Sequence, residues 1–275
     1  PCTRDADRSA RAATRRGRAR GGARGAPREP ANQPPHGVYP EASGPAVKKR
    51  AAGTGVKVSV LDEAGLARVG FGGHLTVGGG SAHGPRLVTL RYTPAKAHKH
   101  VAFVGKGITF DSGGLTIKPK AGMTTMKCDM AGAAAVAAAV FAIAELGLQV
   151  EVSAYLCLAE NMPGTGACRP GDVVTMRGGK TVELNNPDAE GRMVMADGLA
   201  LASEKKPDLI IDLATLTGAA VAALGHRPAA VRSHHDGLPK PLQAVAAQVR
   251  HALRASPRSA RNRPRLDPPL HPPTP

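Results

Sequence analysis

His100-Val101-Ala102-Phe103-Val104-Gly105-Lys106-Gly107-Ile108-Thr109-Phe110-Asp111-Ser112-Gly113-Gly114 is the stretch on which the fold turns. Its opening, His100–Gly105, is a short apolar run and reads as a β-strand. The residues after Gly105 are glycine-rich and polar, and Asp111-Ser112-Gly113-Gly114 suits a turn at a strand end. Downstream, Met130–Ala144 is an unbroken alanine-rich run of apolar residues and glycine. It reads as a buried helix, too short to span a membrane, which takes about 20 residues. Glu151–Ala159 reads as a strand, Thr181–Leu184 as a shorter one, Met193–Ser203 as a helix and Leu209–Ala214 as a strand. Strands alternating with helices imply crossover units. The expected fold class is therefore α/β, a mixed, largely parallel sheet flanked by helices, with chemistry at the strand ends.

A second stretch carries the chemistry: Asn186-Pro187-Asp188-Ala189-Glu190-Gly191-Arg192. On an extended backbone Asp188, Glu190 and Arg192 would share one face. Two anions and a cation placed so can hold metal ions with an anionic ligand beside them. Taken singly, each charged residue has an ordinary structural reading. Asp188 and Glu190 suit the first turn of a helix beginning near Arg192, where carboxylates complement the dipole. Asp129 suits the N-cap of the alanine-rich helix, and Lys106 suits an exposed surface. Their joint occurrence with Lys118 and Lys127-Cys128-Asp129-Met130 points instead to a two-metal hydrolase.

These segments, with Ile117-Lys118-Pro119, Met126-Lys127-Cys128-Asp129-Met130, Glu160-Asn161-Met162-Pro163, Arg169-Pro170-Gly171-Asp172 and Asp212-Leu213-Ala214-Thr215-Leu216-Thr217-Gly218-Ala219, resemble the leucyl aminopeptidase family. The likeness runs in order and without insertions, and it fades before about Asn32 and beyond about His226. The resemblance implies that Lys106, Asp111, Asp129, Asp188 and Glu190 bind two divalent metal ions per subunit. Lys118 would polarise the scissile carbonyl, and Arg192 would hold a bicarbonate ion acting as general base. Met126, Asn186, Thr215, Leu216 and Gly218 would line the substrate cleft. Peptides would be the substrates, with a leucine-type preference, and the family assembles as hexamers, which an incomplete catalytic domain puts in doubt. Two departures stand inside the motifs: Pro187 where the family has threonine, and Ala131 where it has glycine.

The chemistry agrees with those roles. Metal coordination brings the pKa of water down to about 7, and two ions about 3.5–4 Å apart can clamp both nucleophile and substrate. Carboxylates plus one nitrogen suit manganese, zinc, cobalt or magnesium without choosing among them. Lysine ligates only as the neutral amine, a state that nearby cations and burial favour. Lys118 must instead stay protonated to stabilise developing negative charge. The Arg192 fork matches a planar carbonate-like anion.

The ends of the chain differ in character. Residues 1–30 hold nine arginines against three acids, residues 232–275 hold eight Lys/Arg against two acids, and the net charge is +16. Such composition predicts little order. The expected organisation is a basic segment over 1–31, a partial metalloaminopeptidase catalytic domain over 32–231 and a basic, proline-rich tail over 232–275. Leu238–Ser256 has the pattern of one amphipathic helix. The basic ends have three readings: contact with nucleic acid or other polyanions, a targeting sequence, or GC-rich DNA translated out of frame. An inactive fragment that binds polyanions non-specifically is thus the alternative to a working enzyme. Cys2, Cys128, Cys157 and Cys168 lack Cys-x-x-Cys spacing and fit free thiols in a reducing, cytoplasmic setting. Neither signal peptide nor membrane span is expected, and seven aromatic residues without tryptophan offer little for base stacking.

Overall fold

A computed structural model describes residues 13, 14, 17, 19, 21–234 and 237–256. It divides into two compact units, residues 1–216 and 217–275. In the first, α1 (Arg28–Asn32) and α2 (Pro40–Ala51) precede β1 (Lys57–Leu61), α3 (Glu63–Arg68), α4 (Gly72–Gly78) and β2 (Arg86–Tyr92). Next come β3 (His100–Asp111), α5 (Lys120–Met123), α6 (Ala131–Leu146), β4 (Glu151–Asn161), β5 (Asp172–Thr175), β6 (Thr181–Leu184), α7 (Glu190–Glu204) and β7 (Leu209–Leu213).

Five strands form the central sheet in the order β1-β2-β4-β3-β7. The β1·β2 and β2·β4 pairs are antiparallel, and β3·β4 and β3·β7 are parallel. Only β2 therefore runs against the others, and the sheet is largely parallel as expected. β5 and β6 form a separate antiparallel hairpin.

Alternation along the strands divides the core into two layers. Val152, Ala154, Leu156 and Leu158 of β4 meet Ala133, Val136, Ala137, Val140 and Phe141 of α6. Tyr155, Cys157 and Ala159 turn the other way, into a cluster with Met193, Val194 and Met195 of α7 and with Phe71 and Val77. Alanine favours helix more than any other residue, which suits α6. Gly147 ends that helix at φ 66°, with its N–H on Ala144 O and the Leu148 N–H on Ile143 O at 3.2 Å, the paired bonds of a glycine-terminated helix. The stretch Lys120–Leu146 is long and apolar enough to pass for a membrane span by composition. In the fold it is broken into α5, a 3-10 turn and α6, and α6 packs on the sheet.

β3 runs on past Gly105, where sequence alone suggested it would stop, because pairing with β4 continues through the glycines. Glycine is required there for packing: a Cβ on Gly105 would lie 2.6 Å from Ala133 Cα. The connection β3–α6–β4 leads to one side of β3, and α7 then leads to β7 on its other side. This makes the carboxyl end of β3 a switch point of the sheet, where such folds open a crevice.

The second unit holds α8 (Ala219–Leu224), β8 (Ala229–Val231), α9 (Pro239–Gln248) and β9 (Leu253–Ala255). β8 and β9 pair in parallel around α9. The amphipathic helix expected over Leu238–Ser256 thus stops at Gln248, because residues 253–255 are drawn into strand pairing. At the other end, residues 21–25 are helical like α1, and Lys127 Nζ donates to Asn32 O at 3.0 Å. The rest of the proline-rich tail, 257–275, lies outside the described residues.

The α6–sheet contact yields a test. A Cβ on Gly132 would lie 2.2 Å from Leu213 O, whereas Gly122 has only Pro119 carbons at 3.8 Å. Gly132→Ala should lower the urea midpoint by an amount worth about 1–3 kcal/mol. Gly122→Ala should stay within about 0.5 kcal/mol of the parent.

Candidate metal centre

Lys106 and Asp111 lie five positions apart in one strand, which strict alternation would send to opposite faces. A β-bulge resolves this. Lys106 pairs with Cys157 and Ile108 with Ala159, but Asp111 pairs with Asn161, so β3 carries one extra residue between Ile108 and Asp111. The insertion flips the following side chain and puts Asp111 on the face of Lys106. Nothing in the composition of Ile108–Asp111 announces it.

Lys106 is 2 % exposed. Its Nζ lies 2.9 Å from Asp129 Oδ1, 2.8 Å from Asp129 Oδ2 and 2.7 Å from Glu190 Oε1, and it donates to Thr215 O at 3.2 Å. Thr215 Oγ1 donates to Asp129 Oδ1 at 2.6 Å. Asp129 therefore does not cap α6: the N-cap position is Met130, without a side-chain cap. Lys118 lies 3.0 Å from Asp111 Oδ2 and pairs with Asp188 Oδ1. Asp111 Oδ1 accepts from Gly113 N–H at 2.9 Å and from Asn161 Nδ2 at 2.8 Å. Gly113 sits at φ 88°, a conformation that favours glycine.

The structure corrects the expectation that Asp188, Glu190 and Arg192 share one face. Asn186 is extended (φ −145°, ψ 106°), as the following proline demands. Pro187–Ala189 is then a 3-10 turn, with Asn186 Oδ1 accepting from Asp188 N–H at 2.9 Å, and α7 begins at Glu190. Glu190 does head a helix, yet its side chain is buried against Lys106. In a helix Arg192 lies about 200° round from Glu190, and it is exposed. Among the described residues Arg192 and Leu216 make no ion pair or hydrogen bond with the acidic cluster, and Met126 meets it only through its main-chain oxygen, which accepts from Asp129 N–H at 3.3 Å. Met126 is half-buried, Leu216 is exposed, and Gly218 belongs to the second unit. Gly191 is needed for space: a Cβ there would meet Lys106 Cε at 2.5 Å.

The donors fit a divalent cation. Asp111, Asp129 and Glu190 are buried, and one carboxylate oxygen from each lies within 4.8 Å of the others. Asp129 Oδ2 and Asp188 Oδ1 are buried and contact lysine, yet receive no well-directed hydrogen bond. Hard oxygen donors with such open lone pairs suit small divalent ions. The site set read from sequence missed Asn161, whose one signal was its place in the Glu160–Pro163 motif.

Burial pushes the Glu190 carboxyl up to about 7 against the opposing pull of Lys106, and it raises Asp129 as well. Burial works to lower Lys106, but Asp129 and Glu190 outweigh it and hold the ammonium above the usual lysine value. Lys118 is likewise raised, Asp188 and Asp111 outweighing its desolvation. Between pH 4.5 and 7 the folded chain therefore keeps a Glu190 proton that the unfolded chain releases, so stability falls as pH rises through that window. With EDTA present, the melting temperature should drop from about pH 5 to about pH 7.5. Glu190→Gln should flatten that slope in differential scanning calorimetry.

Comparison with known proteins agrees with this geometry. The description "Cytosol aminopeptidase family, catalytic domain" matches residues 26–266, a span reaching past both points where the motif likeness fades. Relatives named cytosol aminopeptidase include one from Streptomyces avermitilis, 56% identical over 218 residues (79% of this chain and 42% of that protein). Another, from Cutibacterium acnes, is 64% identical over 176 residues (64% of this chain and 35% of that protein). The chain thus spans less than half the length of these relatives. Among solved structures, the bottromycin maturation enzyme BotP in complex with Mn has a TM-score of 0.86 at 42% identity, covering 90% of this chain and 55% of that one. Leucyl aminopeptidase from Trypanosoma brucei in complex with actinonin has a TM-score of 0.81 at 37% identity, covering 84% and 45%. By fold, centre and sequence, the chain belongs to the cytosol aminopeptidase family and carries part of its catalytic domain.

Proposed function

We propose that this chain is the metal-binding part of an aminopeptidase that hydrolyses the N-terminal residue from peptides, with a leucine-type preference. The observation that carries the reading is the buried triad Asp111, Asp129 and Glu190, with Lys106 on Asp129 and Glu190 and Lys118 on Asp111. Lys106, Asp111, Asp129, Asp188 and Glu190 would hold two divalent ions, manganese or zinc. Once bound, these would supply Lewis acidity and a nucleophile at neutral pH.

The chain's own residues do the rest. Lys106, its nitrogen held by contacts of 2.7 Å to Glu190 and 2.9 Å to Asp129, would serve as a ligand only as the neutral amine, a state that a bound cation would favour. Lys118 stays protonated because Asp188 and Asp111 hold its pKa up, so it presents a fixed positive charge to a substrate carbonyl. Arg192, free of ion pairs among the described residues, would offer its fork to a bicarbonate ion serving as general base. Asn186, Thr215, Leu216 and Met126 would bound the substrate. A second reading rests on charge: the described residues of the second unit include Arg227, Arg232, Lys240, Arg250 and Arg254 and no acid, a composition suited to polyanions.

The two readings separate in one set of assays. The purified chain with manganese should release leucine from leucyl amide, and Asp188→Ala or Glu190→Ala should abolish that release. Lys118→Ala should lower kcat by about 10²–10³-fold with a smaller effect on KM. Salt-sensitive DNA binding that survives Glu190→Ala, with no metal-dependent turnover, would favour the second reading.

A further inference from the structure

Asp111 does not orient its carboxylate alone. The side-chain amide of Asn161, a residue 2 % exposed at the carboxyl end of β4, has two protons to donate. One goes to Asp111 Oδ1 at 2.8 Å and the other to Pro187 O at 3.2 Å. The main-chain oxygen of Asn161 accepts from Ser112 N–H at 3.0 Å and from Ser112 Oγ at 2.8 Å. One residue therefore ties together the bulged end of β3, the end of β4 and the turn that delivers Asp188 and Glu190.

We propose that Asn161 is a positioning residue for the metal centre: it occupies Oδ1 of Asp111 so that Oδ2 alone faces the cations, and through Pro187 it sets the place of the Asp188–Glu190 turn. The inference rests on the assignment of Asp111, Asp188 and Glu190 as metal ligands above. With Gly113 N–H also on Oδ1, that oxygen has both lone pairs engaged, while Oδ2 points to Lys118. The group must be a carboxamide. An aspartate here would set a second anion against Asp111 and donate nothing to the Pro187 carbonyl. Gly114 belongs to the same arrangement, since a Cβ there would lie 2.8 Å from Asn161 Oδ1. Groups that orient a ligand in this way are worth about 10–100-fold in metal affinity or activity.

The test is Mn²⁺ affinity of the full chain by isothermal titration calorimetry, with free Mn²⁺ followed by electron paramagnetic resonance. Asn161→Ala should weaken binding about 10–100-fold. Ser153→Ala removes a buried side-chain bond at the other end of β4, to His100 Nε2 at 2.9 Å, and none at the metal centre, and should bind as the parent does. Should Asn161→Ala not fold, Asn161→Leu, similar in size and lacking donors, carries the same expectation. Parent-like affinity in the Asn161 variants would overturn the inference, as would equal weakening in Ser153→Ala. A parent chain that takes up no Mn²⁺ would instead overturn the assignment of the centre itself, and the inference with it.

Discussion

A lysine ammonium buried between two carboxylates is the constraint on which the rest of this structure depends. Lys106 is 2 % exposed and reaches Asp129 and Glu190 at 2.7–2.9 Å. Removing such groups from water costs several kcal/mol per ion, and a well-packed apolar cluster of the same volume would often be as stable or more so. Stability is thus a poor reason for the arrangement. Its consequence is a set of anions already gathered and desolvated, with burial raising Glu190 and Asp129. A divalent cation can take the place of protons there and use oxygens that the protein leaves without good hydrogen bonds.

The fold brings these groups together from distant parts of the chain. Lys106 and Asp111 come from β3, Asp129 precedes α6, Glu190 opens α7 and Thr215 comes after β7. All converge because α6, which follows β3, and α7, which leads into β7, pack on opposite faces of the sheet. The close approach of helix to sheet at Gly105, Gly132 and Gly191 leaves room for Lys106 and little else. The two core layers serve this geometry: α6 seated on one face and α7 on the other hold their amino ends at the same strand terminus.

Much of this was legible in the residues, and the failures have physical causes. The strand at Glu151, the short strand Thr181–Leu184 and the alanine-rich helix follow from apolar runs and propensity, and the structure moves their ends by only a residue or two. Lys106, Asp111, Lys118, Asp129, Asp188 and Glu190 do meet in one cluster. Asp188, Glu190 and Arg192 would share a face only on extended backbone. Proline does extend Asn186, but it also suits the first position of a helical turn, and the turn won from Pro187 onward. The bulge that aligns Asp111 with Lys106 was invisible because register depends on the partner strand. Asn161 was passed over because what singles it out is hydrogen bonds to two other segments, the end of β3 and the Pro187 turn.

The most direct measurement is a crystal structure of the chain soaked in manganese, with anomalous differences collected at the metal edge. The account predicts anomalous density among Asp111, Asp129, Asp188 and Glu190, with Lys106 Nζ turned from ion pair to ligand. Density elsewhere, or an unchanged Lys106–Asp129–Glu190 ion pair at saturating manganese, would contradict it.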